Sequence, residues 1–327
     1  MKRMLRALAF GALALLVIGV ATAAGRTAAR VPVRTVASWP FTPPYGSFAE
    51  SMARGPDGSL YVSRTIWGDT TDLGVIERVS PSNGSRTTVT GPVNVDGGLF
   101  AGVTFDGQGR LYVALATFSS DPKNLPGVAR VGPNGQLTRV LTLPPNSFPN
   151  GLAFHGNWLY VTDPLLGAVW RTNPTNGPST PAHPWLADPA LAPVTALGPD
   201  GVAFRGDTMY VTQYDRGQML RVDVHADGSP GTLGLFAQDP KLVTADGIMF
   251  DPAGNLWVTV NGPGTGRLIV VQPSGHVVAV ASNDGWLDYP TQPVVVWPWS
   301  VYVVNGSFDN GIPSVVEVGL PFVFGVL

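Results

Sequence analysis

Cysteine is absent from the 327 residues, so no disulfide can stabilise the fold and no thiolate can bind zinc. Charged residues make up only 13% of the chain, and the formal net charge is −2 without a basic stripe, which argues against nucleic acid binding. No Gly-x-Ser-x-Gly elbow occurs, and the four histidines fall in predicted turns, loops or outer strands. A Ser-His-Asp hydrolase is therefore not expected. The glycine-rich stretch 262–266 lacks the lysine of a phosphate loop.

The N-terminal 30 residues differ in character from the rest of the chain. Lys2, Arg3 and Arg6 precede an apolar run over 7–20, and Ala-Thr-Ala follows at 21–23. This pattern predicts a secretory signal peptide over 1–23 and a secreted or periplasmic protein. The alternative is an uncleaved membrane anchor. The apolar run has only fourteen residues, which is short for a helix that spans a membrane. We expect the mature form to be a monomer that does not enter a membrane.

Residues 45–327 contain six copies of one motif: a leading position, an apolar inner strand, a turn, and a second strand centred on an aromatic residue. The leading positions, aligned on that aromatic, are Glu50, Ala101, Asn150, Asp200, Asp246 and Gln292. The steps between them are 46 to 51 residues. Short strands at this period predict an all-β, six-bladed β-propeller with four-stranded antiparallel blades.

The leader 24–44 contains a lone strand at about 33–39, whereas the last repeat shows only three clear strands. We predict that the lone strand is the outer strand of the last blade. Pairing the two ends of the chain closes the ring and removes a free sheet edge. Ring closure would help to stabilise an exported domain that has no disulfides.

In a propeller the inner strands surround a central channel, so the six leading positions should converge at one mouth. Three acids and an amide would gather there. The three acids raise one another's pKa unless a cation compensates their charge. Carboxylate and amide oxygens suit a hard divalent ion such as Ca²⁺. The alternative is that these residues only cap backbone amides after turns, and that the glycines following four of them only allow close strand packing.

The second strand of each blade returns to the same mouth. Polar residues near its end could shape a substrate pocket or support the metal ligands. We select four residues for a substrate pocket: Arg64, Asp163, Tyr214 and Gln292. Loop polarity alone is the competing explanation for them.

Two motifs resemble a known family. Residues 149–154 with 159–163, and 245–251 with 254–258, resemble the gluconolactonase/regucalcin (senescence marker protein) family of six-bladed propellers. The resemblance implies a lactone hydrolase with one divalent metal held by Glu, Asn, Asn and Asp. Glu50, Asn150 and Asp246 match these types, and Asp200 stands where a second Asn is usual. Glu50 is followed by Ser51 where the family usually has Gly-Pro.

The resemblance further implies that Asp246 is both a metal ligand and the general base in hydrolysis of a small-molecule lactone. Ca²⁺ is the expected metal, with Zn²⁺, Mn²⁺ and Mg²⁺ left open. Two other functions also stay open. The chain could be a noncatalytic extracellular binding propeller with a structural cation, or a strictosidine synthase-like enzyme or lyase on the same scaffold.

Overall fold

A computed structural model describes residues 32–320 except 42–45, 120, 122–123, 263, 265, 283–284 and 310. The predicted signal peptide and the first part of the leader lie outside the described residues. The regular secondary structure of the described residues is almost all strand, with short 3₁₀ segments at Pro174–Asn176 and Pro240–Leu242. No helix among these residues is long and apolar enough to span a membrane.

The strands form six four-stranded sheets, as the repeat predicts. The first three blades are β2 (Ser47–Arg54), β3 (Leu60–Ile66), β4 (Leu73–Val79) and β5 (Arg86–Asn94); β6 (Leu99–Phe105), β7 (Leu111–Ala116), β8 (Gly127–Val131) and β9 (Leu137–Thr142); β10 (Leu152–His155), β11 (Trp158–Asp163), β12 (Ala168–Thr172) and β13 (Leu186–Ala187). The last three are β14 (Pro199–Arg205), β15 (Thr208–Gln213), β16 (Gln218–Asp223) and β17 (Gly234–Gln238); β18 (Ala245–Phe250), β19 (Leu256–Val260), β20 (Arg267–Val271) and β21 (Val277–Ser282); β22 (Pro290–Val296), β23 (Ser300–Asn305), β24 (Ser314–Gly319) and β1 (Val33–Ser38).

The two ends of the chain close the ring, which confirms the predicted role of the lone strand. β1 pairs antiparallel with β24, from Val33 opposite Val318 to Ser38 opposite Ser314. Arg34 reinforces this pairing, because its Nε and Nη2 both donate to Glu317 Oε2, at 2.9 and 2.6 Å. The last blade is therefore completed by the first strand, and β24 has no open edge.

Adjacent blades are held together by a repeated aromatic contact. The aromatic residue of the second strand packs against a phenylalanine near the end of the next blade's inner strand. The ring centroids are 4.9 to 5.1 Å apart in the pairs Tyr61–Phe105, Tyr112–Phe154, Tyr160–Phe204 and Tyr210–Phe250. Such tilted and edge-to-face pairs add to the apolar area buried between blades. The recurrence of Phe and Tyr in the sequence thus reflects how the blades pack.

Candidate functional site

A β-bulge lies at or beside the leading position of five inner strands. The pairing register shifts between Ala49 and Ser51, for example, and between Pro199 and Val202. β6, β18 and β22 are irregular at the corresponding point. Bulges leave a residue unpaired and redirect its side chain. The strand irregularity therefore coincides with the positions that carry the acidic side chains.

These positions line one cavity of about 410 Å³ that runs along the inner strands. Glu50, Asn150, Asp200, Asp246 and Gln292 all contribute to its wall. The first four are at most 7% exposed. Three carboxyls and a carboxamide therefore share one cavity. They lie on four different blades, and the first and last of them are 196 residues apart in the sequence.

The glycine after the leading position allows neighbouring inner strands to approach closely. A Cβ on Gly151 would lie 2.4 Å from the carbonyl oxygen of Asp200, and one on Gly201 would lie 2.2 Å from that of Asp246. No side chain fits in that space. These glycines therefore allow close strand packing, as the sequence suggested, and the acids face the same cavity beside them.

A hydroxyl in each of several second strands ties its blade to the leading residue of the next. Thr212 Oγ1 donates to the carbonyl of Asp246 at 3.3 Å, and Ser63 Oγ donates to that of Ala101 at 2.6 Å. Thr162 makes the same bond to Asp200. Sequence reasoning missed these residues, although Ser or Thr recurs two positions after the aromatic in four of the six copies.

Burial controls the electrostatics of the cavity. It raises the pKa of Glu50 from 4.5 to about 7, and the hydrogen bond from Asn150 Nδ2 to Glu50 Oε1, at 3.3 Å, opposes this rise only in part. Burial, followed by the charge of Glu50, holds the pKa of Asp200 well above its ordinary value. Without a compensating cation, these carboxyls tend to keep their protons at neutral pH.

Asp246 has the most extensive surroundings of the three acids. Burial and the charges of Asp200 and Glu50 raise its pKa, whereas a hydrogen bond from Asn261 opposes the rise. Asn261 Nδ2 donates to Asp246 Oδ2 at 2.6 Å, and Tyr214 Oη donates to Asn261 Oδ1 at 2.8 Å. Tyr214, predicted as a pocket residue, thus acts through Asn261 to fix the orientation of one oxygen of Asp246.

The side chains fit a hard cation in chemistry more clearly than in geometry. Three acids and an amide are suitable oxygen donors, and Asp200 Oδ1 has no hydrogen-bond partner among the described residues although it is buried. However, no group of three or more His, Cys, Asp or Glu side chains in the described part of the chain is arranged closely enough to hold a metal ion. The donors nevertheless face one cavity, and the charge of Glu50 raises the pKa of both Asp200 and Asp246, so the three acids lie near one another.

Of the four predicted pocket residues, Gln292 lines the cavity, whereas Arg64, Asp163 and Tyr214 are not part of its wall. Arg64 pairs with Glu77 on the neighbouring strand, with Nη2 2.7 Å from Oε2, and its guanidinium stacks on Trp39. Asp163 is fully buried, and its carboxylate accepts from the backbone of Phe148 and from Trp170 Nε1. Both side chains are engaged by structural partners, so neither is positioned to contact a substrate in the cavity.

The sixth leading position belongs to Thr291 rather than Gln292. Thr291 is the unpaired residue between Pro290 and Gln292, and its carbonyl accepts from Thr259 Oγ1 at 2.9 Å, as the leading carbonyls of other blades do. Thr291 lies eleven residues before Tyr302, the spacing found in three other repeats, so this signal was present in the sequence. Gln292 still lines the cavity, one residue further along.

No protein-family model matches the chain, and no curated protein matches its sequence. Solved structures do match. A gluconolactonase from Xanthomonas campestris is 18% identical over 90% of this chain and 91% of its own, with a TM-score of 0.62. A calcium-binding protein, regucalcin, from Agrobacterium tumefaciens is 16% identical over 84% and 93%, with a TM-score of 0.55. A chain of a nidogen/laminin complex is 16% identical over 85% and 90%, with a TM-score of 0.54.

Similarity at this level shows a shared fold. A gluconolactonase and a chain of a nidogen/laminin complex share it, so the fold does not decide between catalysis and binding. The function must be argued from the side chains in the channel.

Proposed function

We propose that this propeller is a metal-dependent hydrolase of the lactonase type. The observation that carries the proposal is the buried set of Glu50, Asn150, Asp200 and Asp246 around one cavity. Burial raises the pKa of all three carboxyls, and neighbouring acids add to the rise at Asp200 and Asp246. Ionised carboxyls are costly in such a site, and a divalent cation offsets that cost. The similarity in fold to a gluconolactonase supports the same function.

The four residues would hold the cation, for which Ca²⁺ is favoured by the all-oxygen donor set. When bound, the cation would polarise an ester carbonyl and lower the pKa of a nearby water. Asp200 adds a negative charge to the site. Its partnerless Oδ1 is the donor atom most readily available to a ligand.

Asp246 is proposed as the general base. Burial and the charges of Asp200 and Glu50 raise the pKa of Asp246, so its carboxylate is a stronger base than that of an exposed aspartate. Asn261 holds Asp246 Oδ2, so the carboxylate has a fixed orientation towards an attacking water. In the proposed reaction the water oxygen bonds to the lactone carbonyl carbon, the ring C–O bond breaks, and the proton taken by Asp246 is passed to the departing alkoxide.

Metal content comes first among the tests. The mature domain would be analysed by mass spectrometry, and its melting temperature measured with chelator and with added Ca²⁺. About one cation per chain, with melting lowered by chelator, supports the proposal. Absence of metal, together with no response to millimolar Ca²⁺, would contradict it.

Activity is tested on a panel of lactones with the metal supplied. Asp246→Asn keeps the shape of the side chain and its bond to Asn261, so we expect a folded protein that has lost turnover. Asp207→Asn is the matched control, because the Asp207 side chain is 82% exposed and pairs with His155 across blades. Lactonase activity retained in Asp246→Asn would overturn the assignment of the base.

A noncatalytic binding propeller is the second candidate. It is favoured by the lack, among the described residues, of a group of three or more His, Cys, Asp or Glu side chains arranged to hold a metal ion. A chain of a nidogen/laminin complex has a similar fold. A protein that binds metal but hydrolyses no lactone would favour this candidate.

We also propose that the protein acts as a secreted or periplasmic monomer on a small molecule. The N-terminal sequence supports this setting. Size-exclusion chromatography of the mature domain and fractionation of producing cells test the two parts separately.

A further inference from the structure

The chain enters and leaves the propeller at one corner of the last blade, at the opposite end from the acids. The inner strand β22 begins beside the leading position of this blade and ends at Val296, so the turn 297–299 lies at the far end of the channel. Two backbone hydrogen bonds join both ends of the described chain to this turn. Leu320 N donates to Trp299 O at 2.9 Å, and Gly319 N donates to Pro32 O at 3.3 Å.

This region, which we call the terminal corner (297–299 with Pro32 and Leu320), exposes large apolar side chains. Trp299 is 68% exposed and Trp297 is 36% exposed, with only Pro298 between them. A single exposed apolar residue is ordinary, but a group of them that continues into apolar sequence indicates a contact surface. The sequence on either side of the corner therefore decides what this turn means.

The sequences that continue from the terminal corner are apolar. Residues 321–327 read Pro-Phe-Val-Phe-Gly-Val-Leu, without a charged or hydrogen-bonding side chain. On the N-terminal side the apolar run over 7–20 precedes β1, which starts at this corner. Cleavage after residue 23 would leave the C-terminal segment and the two tryptophans, and retention would add the run at the same place. Both interpretations of the N terminus bring apolar sequence to the terminal corner.

Basic side chains accompany this apolar sequence. Arg26 and Arg30 precede β1, and Arg34 lies within it with 49% of its side chain exposed. The acid across from Arg34, Glu317, is paired with it at 2.6 Å. Arg54 is exposed at the end of β2, at the same end of the neighbouring blade. Arginines around tryptophans and an apolar segment are typical of chains that lie on an anionic membrane surface.

From this arrangement we infer that the terminal corner docks on an anionic lipid bilayer, with Trp299 and residues 321–327 at the level of the headgroups. The inference goes beyond the proposed function and does not depend on it. Binding to a protein would call for polar groups in complementary positions. The apolar side chains of this corner bind a bilayer by burying surface alone, and the arginines are attracted to anionic headgroups. The propeller itself stays outside the bilayer, and the acid end of the channel faces the solvent.

Vesicle sedimentation is the direct test. Protein that begins at residue 24 would be mixed with vesicles of phosphatidylcholine and phosphatidylglycerol at a ratio of about 7:3. We expect binding that falls when phosphatidylglycerol is left out. Trp299→Ala should weaken it about tenfold, because a side chain that gains apolar burial in the interface is lost. Truncation after Leu320 should weaken it to a similar extent.

Trp158→Ala is the matched control. Trp158 is 37% exposed at the same end of the propeller, but it belongs to the third blade, and Arg171 stacks on it at 4.2 Å. Its replacement should leave vesicle binding unchanged. Equal weakening by Trp158→Ala and Trp299→Ala would show binding by the whole face or a general effect on the fold, and would overturn the assignment to the terminal corner.

The absence of cysteine allows a single dye to report the orientation on the membrane. A polarity-sensitive fluorophore on a cysteine added after Leu327 should brighten when vesicles are present. The same fluorophore at Val194→Cys should not, because Val194 is 61% exposed in the loop at the acid end. Brightening at position 194 with none at the C terminus would overturn the proposed orientation.

Other outcomes would overturn the inference in distinguishable ways. Protein that does not sediment with these vesicles does not dock on them. If such protein forms dimers in analytical ultracentrifugation, and Trp299→Ala makes it monomeric, the terminal corner is a contact between copies of this chain. Truncation after Leu320 that strengthens vesicle binding would show that residues 321–327 cover the tryptophans. None of these results would bear on lactone hydrolysis, which is measured separately.

Discussion

Replacing Glu50 by glutamine tests whether the buried acids destabilise the metal-free protein. Glutamine keeps the size of the side chain and an oxygen that can accept the bond from Asn150. The pKa of Glu50 rises from 4.5 to about 7 on folding, mainly because of burial. For a fully buried carboxyl, such a rise corresponds to about 3 kcal/mol between its two protonation states.

The sign of the effect follows from proton linkage. Between pH 4.5 and about 7 the native protein holds a proton on Glu50 that the unfolded chain has released. The free energy of unfolding of the chelated protein should therefore fall as pH rises through this window. Asp200 and Asp246 change it in the same direction, because their pKa values are also raised.

Glutamine cannot ionise, so Glu50→Gln should melt on the order of 5 °C higher than the parent at pH 8 in chelator. At pH 4.5 the two proteins should melt at nearly the same temperature. Thermal unfolding followed by circular dichroism measures both. Asp207→Asn, an exposed control, should shift stability by less than about 0.5 kcal/mol at either pH. A Glu50→Gln variant that is destabilised at pH 8, or whose difference from the parent does not depend on pH, would refute this reasoning.

Three further predictions concern the scaffold. Gly201→Ala should lower the free energy of unfolding, measured by chemical denaturation, by about 3 kcal/mol, because its Cβ would meet the carbonyl oxygen of Asp246 at 2.2 Å. A Cβ at Gly234 would have open space, so Gly234→Ala should change this free energy by less than about 1 kcal/mol. Deleting β1 should expose the edge of β24 and cause aggregation on heating, measured by light scattering; an unchanged melting curve would contradict ring closure. Thr162→Val should lower the free energy of unfolding by about 1 kcal/mol, because the carbonyl of Asp200 loses its hydroxyl donor. The Ca²⁺ affinity, measured by calorimetry, should fall as well.

The number of blades and the closing strand were predictable because they depend on local patterns. Each repeat carries its own strands and turns. The last repeat was the one that lacked a fourth strand, so the lone strand at 33–39 was expected to complete that blade. The contribution of Glu50, Asn150, Asp200 and Asp246 to one cavity followed from their shared place in the repeat. Periodicity therefore predicts both the ring and what faces its centre.

The contacts of Arg64 and Asp163 were not predictable in this way. Their partners are Glu77 on an adjacent strand and the backbone of a loop that leads into another strand. A sequence position near the mouth indicates which end of the blade a residue occupies, but not which face its side chain takes. The place of Gln292 in the repeat was wrong by one residue, because Thr291 is the unpaired residue of β22 and shares its eleven-residue distance to the aromatic with three other repeats.

The three buried acids lower the free energy of unfolding of the metal-free protein, which indicates that the channel serves a function. Folded domains are stable by only about 5–15 kcal/mol, and Glu50 alone would remove about 3 kcal/mol of that at high pH in metal-free protein. Amides in place of the acids would relieve the strain without altering the bulges, the glycines or the hydroxyl bonds between blades. The scaffold thus does not require carboxyls at these positions. A divalent cation would allow all three acids to ionise, with the oxygen donors that are present.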